Sequence, residues 1–598
     1  AACRSGGNAP ARSGNASHPV TSGGETAPKG SGLASNEKLW VAGVLLVTLL
    51  TFVSTCTFGW VYDDPPQIPG NPDLRWDRVG YLFAHHLWSS ASGAGEARFY
   101  RPLLAVWFLV NKTLFGLNPH WFHFTSILAH VLATALAFFI ARKFLADFWA
   151  ALFAAAILGL HPLQAESASW ISSVNDPLAA VLCFASFLAC RRARNERQRA
   201  GLWWAVAGAA FVLALLMKEV SAVLPAIVLV DLWCESSDAV EEGDKKRTGA
   251  ILIAVYGALG IAWLVLRHQV LGQFAAAQSA IGWTTIVLTA PKIALFELYR
   301  AILPMGLSPH YDFRPVDASN LSQVVLPLIG FLALIVLAVL AARRAQWLWA
   351  AFAWLLLPLL PSLNLRWVNE DDFVHDRYMY MSMLGVALLA GAGFSALKQR
   401  WPENRMIPLL AVVLVVGLGF ASALQSQYWA NDVYLFSRGV QIAPNNEWAQ
   451  LNYGAALSAR EKFAEAAPHF ARSYELKAGW HAADYAGFAY EKSGDLAQAE
   501  RWFGLALQLD PTLADAWFGL GQIRMEQHRP GDAVVFFQKA ISLQPDADGF
   551  HYELGVAFEQ SSQKDAALEA YQTELRLHPY QTGARKAIER LSANSSSK

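Results

Sequence analysis

Leu39-Trp40-Val41-Ala42-Gly43-Val44-Leu45-Leu46-Val47-Thr48-Leu49-Leu50 opens an apolar run that continues to Trp60 and then breaks into Val61-Tyr62-Asp63-Asp64-Pro65-Pro66. The run is long enough to cross a bilayer as a helix. Two adjacent carboxylates then stand where the chain leaves hydrocarbon, a place where charge is costly to keep and usually serves a function. Asp63 and Asp64 are therefore a candidate site at the membrane surface. The blander alternative is an acidic loop in solvent, and the rest of the chain has to decide between them.

Of 598 residues, 54% are hydrophobic and 16% are charged. Mean hydropathy is +0.28. So much apolar sequence, divided into many separate runs, excludes an ordinary soluble protein and a single-anchor one. The 23 Trp fit a chain with two membrane interfaces to line. A formal net charge of zero gives no footprint for nucleic acid. Cys3, Cys56, Cys183, Cys190 and Cys234 form no CxxC or His-paired cluster, so neither a disulfide framework nor a structural zinc site is expected.

Composition divides the chain into three regions. Residues 1–37 are rich in Gly, Ser, Ala and Asn without hydrophobic periodicity and read as a disordered cytoplasmic tail. This tail has no signal-peptide core, so the first apolar run is expected to be retained as a span. Residues 38–426 carry the apolar runs, and 427–598 turn to soluble amphipathic helices. Basic clusters at Arg142-Lys143, Arg191 to Arg199, Lys245-Lys246-Arg247, Arg343-Arg344 and Lys398 to Arg405 belong on the cytoplasmic side. Threading the runs accordingly gives eleven spans, near 39–60, 119–141, 149–163, 177–190, 202–217, 219–233, 249–267, 322–342, 347–363, 379–397 and 406–425. The runs 101–117 and 283–303 do not fit the alternation and are expected to be re-entrant or interfacial. The Asp63-Asp64 loop, the loop from His161 to Asp176, the loop from Asn364 to Tyr378 and the C-terminal region then share the outer face.

In the C-terminal region Pro511, Pro545 and Pro579 fall 34 residues apart. Each closes a segment of one pattern, for example Ala533-Val534-Val535-Phe536-Phe537-Gln538-Lys539-Ala540. That period is the signature of the tetratricopeptide helix-turn-helix repeat, and about four repeats with a closing helix fit between 430 and 595. Stacked repeats bury a continuous core and leave a concave groove suited to extended peptides, although a stack can also serve only as a spacer.

Other charges gather at the same outer face. His161-Pro162 leads through Glu166 to Asn175-Asp176-Pro177, and Lys218-Glu219 and Asp376-Arg377 stand between apolar runs. Singly, Glu166 is an ordinary loop residue and Asp176 an ordinary helix start. Cations such as Lys218 and Arg377 at that depth are paired, snorkelling or binding an anion.

Taken in order, Val61-Tyr62-Asp63-Asp64, Tyr100-Arg101-Pro102-Leu103, Leu114-Phe115-Gly116-Leu117-Asn118-Pro119, His161-Pro162 through Glu166 to Asn175-Asp176-Pro177, Met217-Lys218-Glu219 and Asp376-Arg377-Tyr378 resemble the transmembrane-and-tetratricopeptide O-mannosyltransferases of the GT-C superfamily. The likeness runs from the end of the tail to the repeats. It implies an all-α fold: a polytopic GT-C membrane bundle followed by a tetratricopeptide superhelix. It further implies a sugar donor on a polyprenyl or dolichyl phosphate, and an acceptor hydroxyl outside the cytoplasm.

The residues suit that chemistry. A hydroxyl is a poor nucleophile, and Asp63 or Asp64 can accept its proton during attack on the anomeric carbon. Asp64 is preferred because Pro65-Pro66 stiffens the chain beyond it. The leaving phosphate needs positive charge rather than a general acid, and Arg377, Lys218 and Arg101 are the candidates to bind it, with Glu166, Asp176 and His161 lining the substrate site. Attack opposite the phosphate implies inversion. No cofactor is required and no metal ligand set is assigned, though Asp63, Asp64, Glu166 and Asp176 could gather a divalent cation. The expected partners are the lipid-linked sugar, membrane lipids and a polypeptide held by the repeats, on the periplasmic side of a bacterial inner membrane. A non-catalytic scaffold, a lipid-sugar transporter and transfer to a glycan or lipid acceptor are the alternatives. The transporter reading lacks paired half-repeats.

Overall fold

The computed structural model describes residues 33–89, 99–235, 242–272, 281–367 and 372–596, and the expected tail lies outside them except for its last residues. Within these limits the chain is helical throughout. Seven segments are long and apolar enough to cross a membrane: Ser35–Thr57, Pro119–Phe144, Ile171–Asn195, Arg197–Met217, Lys245–Leu271, Leu321–Arg344 and Met406–Ala430. The helices Phe148–Leu160 and Pro162–Ser169 are long and apolar enough only when taken together, and they are bent by 47° where Pro162 removes a backbone donor. The protein is a multi-pass integral membrane protein. Its outermost helices show the same thing, since Leu321–Arg344 buries only Ala342 and leaves Leu326, Ile329 and Val336 uncovered.

Three of the expected spans are too short or too polar to pass as full crossings. The segment near 219–233 holds an 11-residue helix, Leu224–Cys234. The one near 347–363 becomes Leu348–Leu359, and the one near 379–397 becomes Met383–Arg400, whose last turn is charged. Prolines set the first two limits: Pro225 starts one helix, and Pro358 falls where the other tightens into a 3₁₀ turn.

Each of these helices nevertheless runs between the two ends of the bundle. At one end, Arg191 and Arg194 pair with Asp231 at 3.0 and 2.5 Å, Arg191 reaches the Lys143 carbonyl, Gln346 donates to the Trp233 carbonyl, and Lys398 pairs with Asp147. All these groups flank the basic clusters. At the other end lie Asp63, Asp176, Lys218, Pro361 and Met381. Among the described residues, seven long segments, the bent pair and these three helices connect the ends. Helix Pro102–Phe115 stays at the second end, with Lys112 donating to the Leu74 carbonyl, and so does Trp283–Ile302, whose Thr289 accepts from Val316 N–H.

Small residues bring the helices of the bundle core together. Helix Phe148–Leu160 buries Ala150, Ala151, Ala154, Ala155 and Gly159. Gly385 lies so close to its neighbour that a Cβ would sit 2.6 Å from the Ala351 carbonyl oxygen and closer still to Leu355 N. Such contacts replace the hydrophobic drive that lipid does not supply.

The repeat region begins with helix Asp432–Ile442 and continues as four antiparallel pairs from Glu447 to Leu577, closed by Thr582–Ser596. One packing device recurs at the repeat period. Gly454, Gly487, Gly521 and Gly555 on the first helices each face an aromatic ring from the second helix, Phe470, Phe503, Phe537 and Tyr571. A methyl group at any of the four would approach its ring to 2.5–2.8 Å. Glycine there lets the ring fill the space between helices, and this is what makes each pair one packed unit.

Candidate active site

The stretch after the first helix forms a tight loop held by three sets of hydrogen bonds. Asp64 is fully buried, and its carboxylate accepts from Val61 N–H at 3.0 Å and from Ser172 N–H and Oγ–H at 2.9 and 2.6 Å. Tyr62 has a φ of +56°, sparsely populated for a residue with a side chain. Its N–H donates to the Asp432 carboxylate at 2.8 Å, its ring stacks on Trp170 at 5.2 Å, and Phe436 meets the ring edge-on at 5.3 Å. Asp63 is the acidic residue of this loop that lines open space.

That space is a cavity of about 450 Å³ among the loops at this second end of the bundle. Asp63, Arg101, Asp176, Lys218, Glu219, Arg267 and Arg377 line it. Three of the four cations already carry a carboxylate. Arg101 forks onto Glu219 at 3.0 and 2.5 Å, Lys218 meets Asp176 at 2.5 Å, and Arg377 is paired with Glu166, which also accepts from Arg377 N–H at 3.1 Å. Arg267 has no such partner among the described residues. Its guanidinium lies 5.4 Å from the centre of the Trp263 ring, and its Nε is buried without an acceptor.

Burial raises the Asp63 carboxyl from 3.8 to about 6, against the pull of Arg377 in the other direction. Burial likewise lifts Asp64 to about 7, opposed by its bonds to Ser172 and Val61. Asp63 is thus ionised at neutral pH, yet basic enough to take a proton.

The structure separates residues that the sequence grouped. Asp63, Arg101, Asp176, Lys218 and Arg377 share the cavity. Asp64, the preferred base on sequence grounds, faces away from it, because its side chain serves as the internal fastener of the loop. Glu166 stands behind Arg377 rather than on the wall. His161 is outside the cavity: its ring is 3.1 Å from the Ala301 carbonyl and accepts from Leu163 N–H at 3.3 Å, which ties the bend between Phe148–Leu160 and Pro162–Ser169 to helix Trp283–Ile302.

The four carboxylates proposed for a cation do not converge, since Asp64 is spent on backbone and Ser172, and Glu166 and Asp176 on cations. Among the described residues, the group with metal-ligand spacing is Asp548, Glu574 and His578 in the repeats. There Glu574 already accepts from Gly549 and Tyr552 N–H.

Two features escaped sequence reading. Arg267 sits within an apolar run, where a lone cation was itself a signal. Arg300, Glu297, Asp376 and Tyr311 form a buried network, with Arg300 2.5 Å from both carboxylates and the Tyr311 hydroxyl donating to Asp376 at 2.7 Å. It fixes the turn that presents Arg377. Nothing in local sequence joins residue 300 to residue 376.

An apolar groove of about 410 Å³ adjoins the cavity and shares Ala222, Trp263 and Leu264 with it. It runs past Phe211, Leu215, Pro225 and Gly260 beside the exposed Ile253 and Ile261. Helix Asp432–Ile442 lies against the Asp63 loop, with Phe436 on the Tyr62 ring and Arg438 donating to the Leu307 carbonyl, while Trp429, at the end of the span before it, stacks on Trp170 at 5.4 Å.

Comparison with known proteins matches residues 100–263 to the family model of dolichyl-phosphate-mannose-protein mannosyltransferases, and residues 486–548 and 518–582 to a tetratricopeptide-repeat model. Protein O-mannosyl-transferase TMTC1 of Homo sapiens is 25% identical over 70% of this chain and 53% of its own length. Protein O-mannosyl-transferase Tmtc1 of Drosophila melanogaster is 24% identical over 73% and 61%, and TMTC3 of Homo sapiens is 21% identical over 89% and 64%. The chain thus spans between about half and two thirds of the length of these curated relatives. Among solved structures, the tetratricopeptide protein YrrB aligns over 33% of this chain and 97% of its own at 15% identity, with a TM-score of 0.25. With a mannosyltransferase-type membrane segment, tetratricopeptide repeats behind it, and relatives named as protein O-mannosyl-transferases along most of its length, the chain resembles the transmembrane-and-tetratricopeptide O-mannosyltransferases of the GT-C superfamily.

Proposed function

We propose that this protein transfers a sugar, mannose by analogy with its relatives, from a polyprenyl- or dolichyl-phosphate carrier to a hydroxyl of a polypeptide, outside the cytoplasm and with inversion. The observation that carries this reading is Asp63: a carboxylate with no hydrogen-bond or ion-pair partner among the described residues, raised to about 6, facing four cations across one cavity. The basic clusters flank the opposite end of the bundle, and the tendency of such clusters to stay in the cytoplasm supports a cavity that opens outside.

The serine or threonine oxygen attacks the anomeric carbon from the side opposite the phosphate. Its proton passes to the Asp63 carboxylate, the bond between the anomeric carbon and the phosphate oxygen breaks, and the phosphate keeps the electron pair. Charge developing on the phosphate meets Arg267, whose guanidinium carries no carboxylate among the described residues, and then Arg101, Lys218 and Arg377. The isoprenoid chain of the donor suits the apolar groove next to Arg267, and the repeats beside the cavity suit a polypeptide acceptor.

The test is transfer of radiolabelled mannose from polyprenyl-phosphate mannose to a pool of serine- and threonine-containing peptides by the purified full chain. Incorporation that disappears with Asp63→Asn supports the assignment. Incorporation into glycan or lipid alone would move the acceptor to another class, and activity unaffected by Asp63→Asn would remove the base.

A further inference from the structure

We propose that Asp432, at the start of the repeat region, is a positioning residue for Asp63 and acts through the backbone of Tyr62. The inference rests on Asp63 being the base. In the loop, Asp64 N–H donates to the Val61 carbonyl and Val61 N–H donates to the Asp64 side chain, so the turn satisfies both of these donors itself. Tyr62 N–H points out of the turn and finds its acceptor 370 residues away, on Asp432 at 2.8 Å. The left-handed backbone of Tyr62 is unfavourable on its own and persists only where its surroundings over-determine it.

Asp432 is free for this task. The cap of its own helix comes from Asn431, which accepts from Tyr434 N–H at 3.1 Å. Phe436 lies four residues on, on the same face of the helix, and meets the Tyr62 ring edge-on. One helix of the repeat domain therefore holds both the amide and the ring of the residue preceding the base. The membrane part supplies the other half of the clamp, Trp170, which stacks on Tyr62 and also on Trp429. The direction of the Asp63 carboxylate is in this way conditional on the docking of the repeats. A polypeptide that shifts the first repeat helix as it binds changes the aim of the base at the moment an acceptor is present.

The test uses the full chain and three variants. Asp432→Asn keeps a carbonyl acceptor for Tyr62 N–H, Asp432→Ala removes it, and Asp432→Ser leaves a polar helix start whose hydroxyl is too short to reach. Asp432→Ala and Asp432→Ser are expected to lower kcat by about tenfold to a hundredfold with donor KM unchanged, as a small misplacement of a catalytic group does, and Asp432→Asn to recover most of the rate. Amide exchange in the peptide covering 58–66 should quicken in the Ala and Ser variants only. A merely structural contact would lower the folded fraction and leave kcat per folded molecule unchanged, and that result overturns the proposal, as does exchange at 58–66 identical to wild type. If the wild-type chain transfers no sugar, the functional reading falls, and the exchange result still decides whether Asp432 holds the loop.

Discussion

Exchanging the Asp63 carboxylate for the amide of asparagine should make the protein more stable and inactive at once. Burial lifts this carboxyl from 3.8 to about 6, so the folded state prefers the protonated form more than the unfolded chain does. Folding therefore binds a proton between the two values, and the contribution of Asp63 to stability falls as pH rises through that window. Above it the folded protein keeps an ionised carboxylate against its preference, at a cost of about 3 kcal/mol, less for the part of the side chain that meets water. The amide that replaces it carries no charge and escapes that cost. Thermal unfolding in detergent should give the Asp63→Asn variant the higher Tm at pH near 7.5, with the gap closing towards about pH 4. Transfer should drop by about 10²- to 10⁴-fold, the range for losing a general base. The wild-type rate should rise with pH around a midpoint near 6 and then level off. A variant less stable than wild type at pH 7.5, or one that keeps a tenth or more of the rate, roughly, would refute the reasoning.

Three further outcomes follow from particular contacts. Arg267→Ala breaks no ion pair seen among the described residues, so Tm should hold while KM for the lipid-linked donor rises by about tenfold, the loss of one charge-assisted phosphate contact; equal KM would remove Arg267 from the donor site. Arg377→Ala leaves Glu166 buried and without its cation, so denaturation should show a loss of about 3–5 kcal/mol in addition to lost activity, and a variant of wild-type stability would contradict the pairing. Gly385→Ala drives a methyl group into the backbone at Leu355 and Ala351 and should lower Tm by the equivalent of about 1–3 kcal/mol, whereas Gly417→Ala, with open space around its Cα, should leave Tm within error.

The broad architecture was readable from pattern. Apolar runs separated by basic clusters locate the crossings, and the 34-residue recurrence of Pro511, Pro545 and Pro579 locates the repeats. Lengths were less readable. Leu224–Cys234 looks like a full span because the residues before it are also apolar, yet the chain at 219–223 forms a 3₁₀ turn that carries Glu219 to Arg101. The site was legible as residue types at one end of the bundle and not as roles. Asp63 and Asp64 are adjacent in sequence, and only Ser172, more than a hundred residues on, decides which of them is spent on holding the loop. His161 stands in a motif-like context, while its partners, the Ala301 carbonyl and Leu163 N–H, are backbone groups that sequence does not advertise. Arg267 was overlooked because its surroundings are those of a span, although charge in such surroundings was the rule that singled out Asp63-Asp64.

The pairing of three cavity cations with Glu219, Asp176 and Glu166 leaves Asp63 and Arg267 as the carboxylate and the cation without an ion pair among the described residues, so the four positive and four negative side chains of the site cancel. A lipid-linked sugar is a phosphodiester with one negative charge, and the phosphate it leaves behind carries two. In the proposed mechanism the proton taken up by Asp63 supplies the compensating positive charge, so the total inside the cavity is the same before and after transfer. Once that proton escapes to solvent the balance is broken: the cavity holds an ionised aspartate and a doubly charged phosphate together, and their repulsion drives the spent carrier out. On that mechanism proton release and carrier release become a single event, and the neutral resting cavity is ready to admit the next singly charged donor.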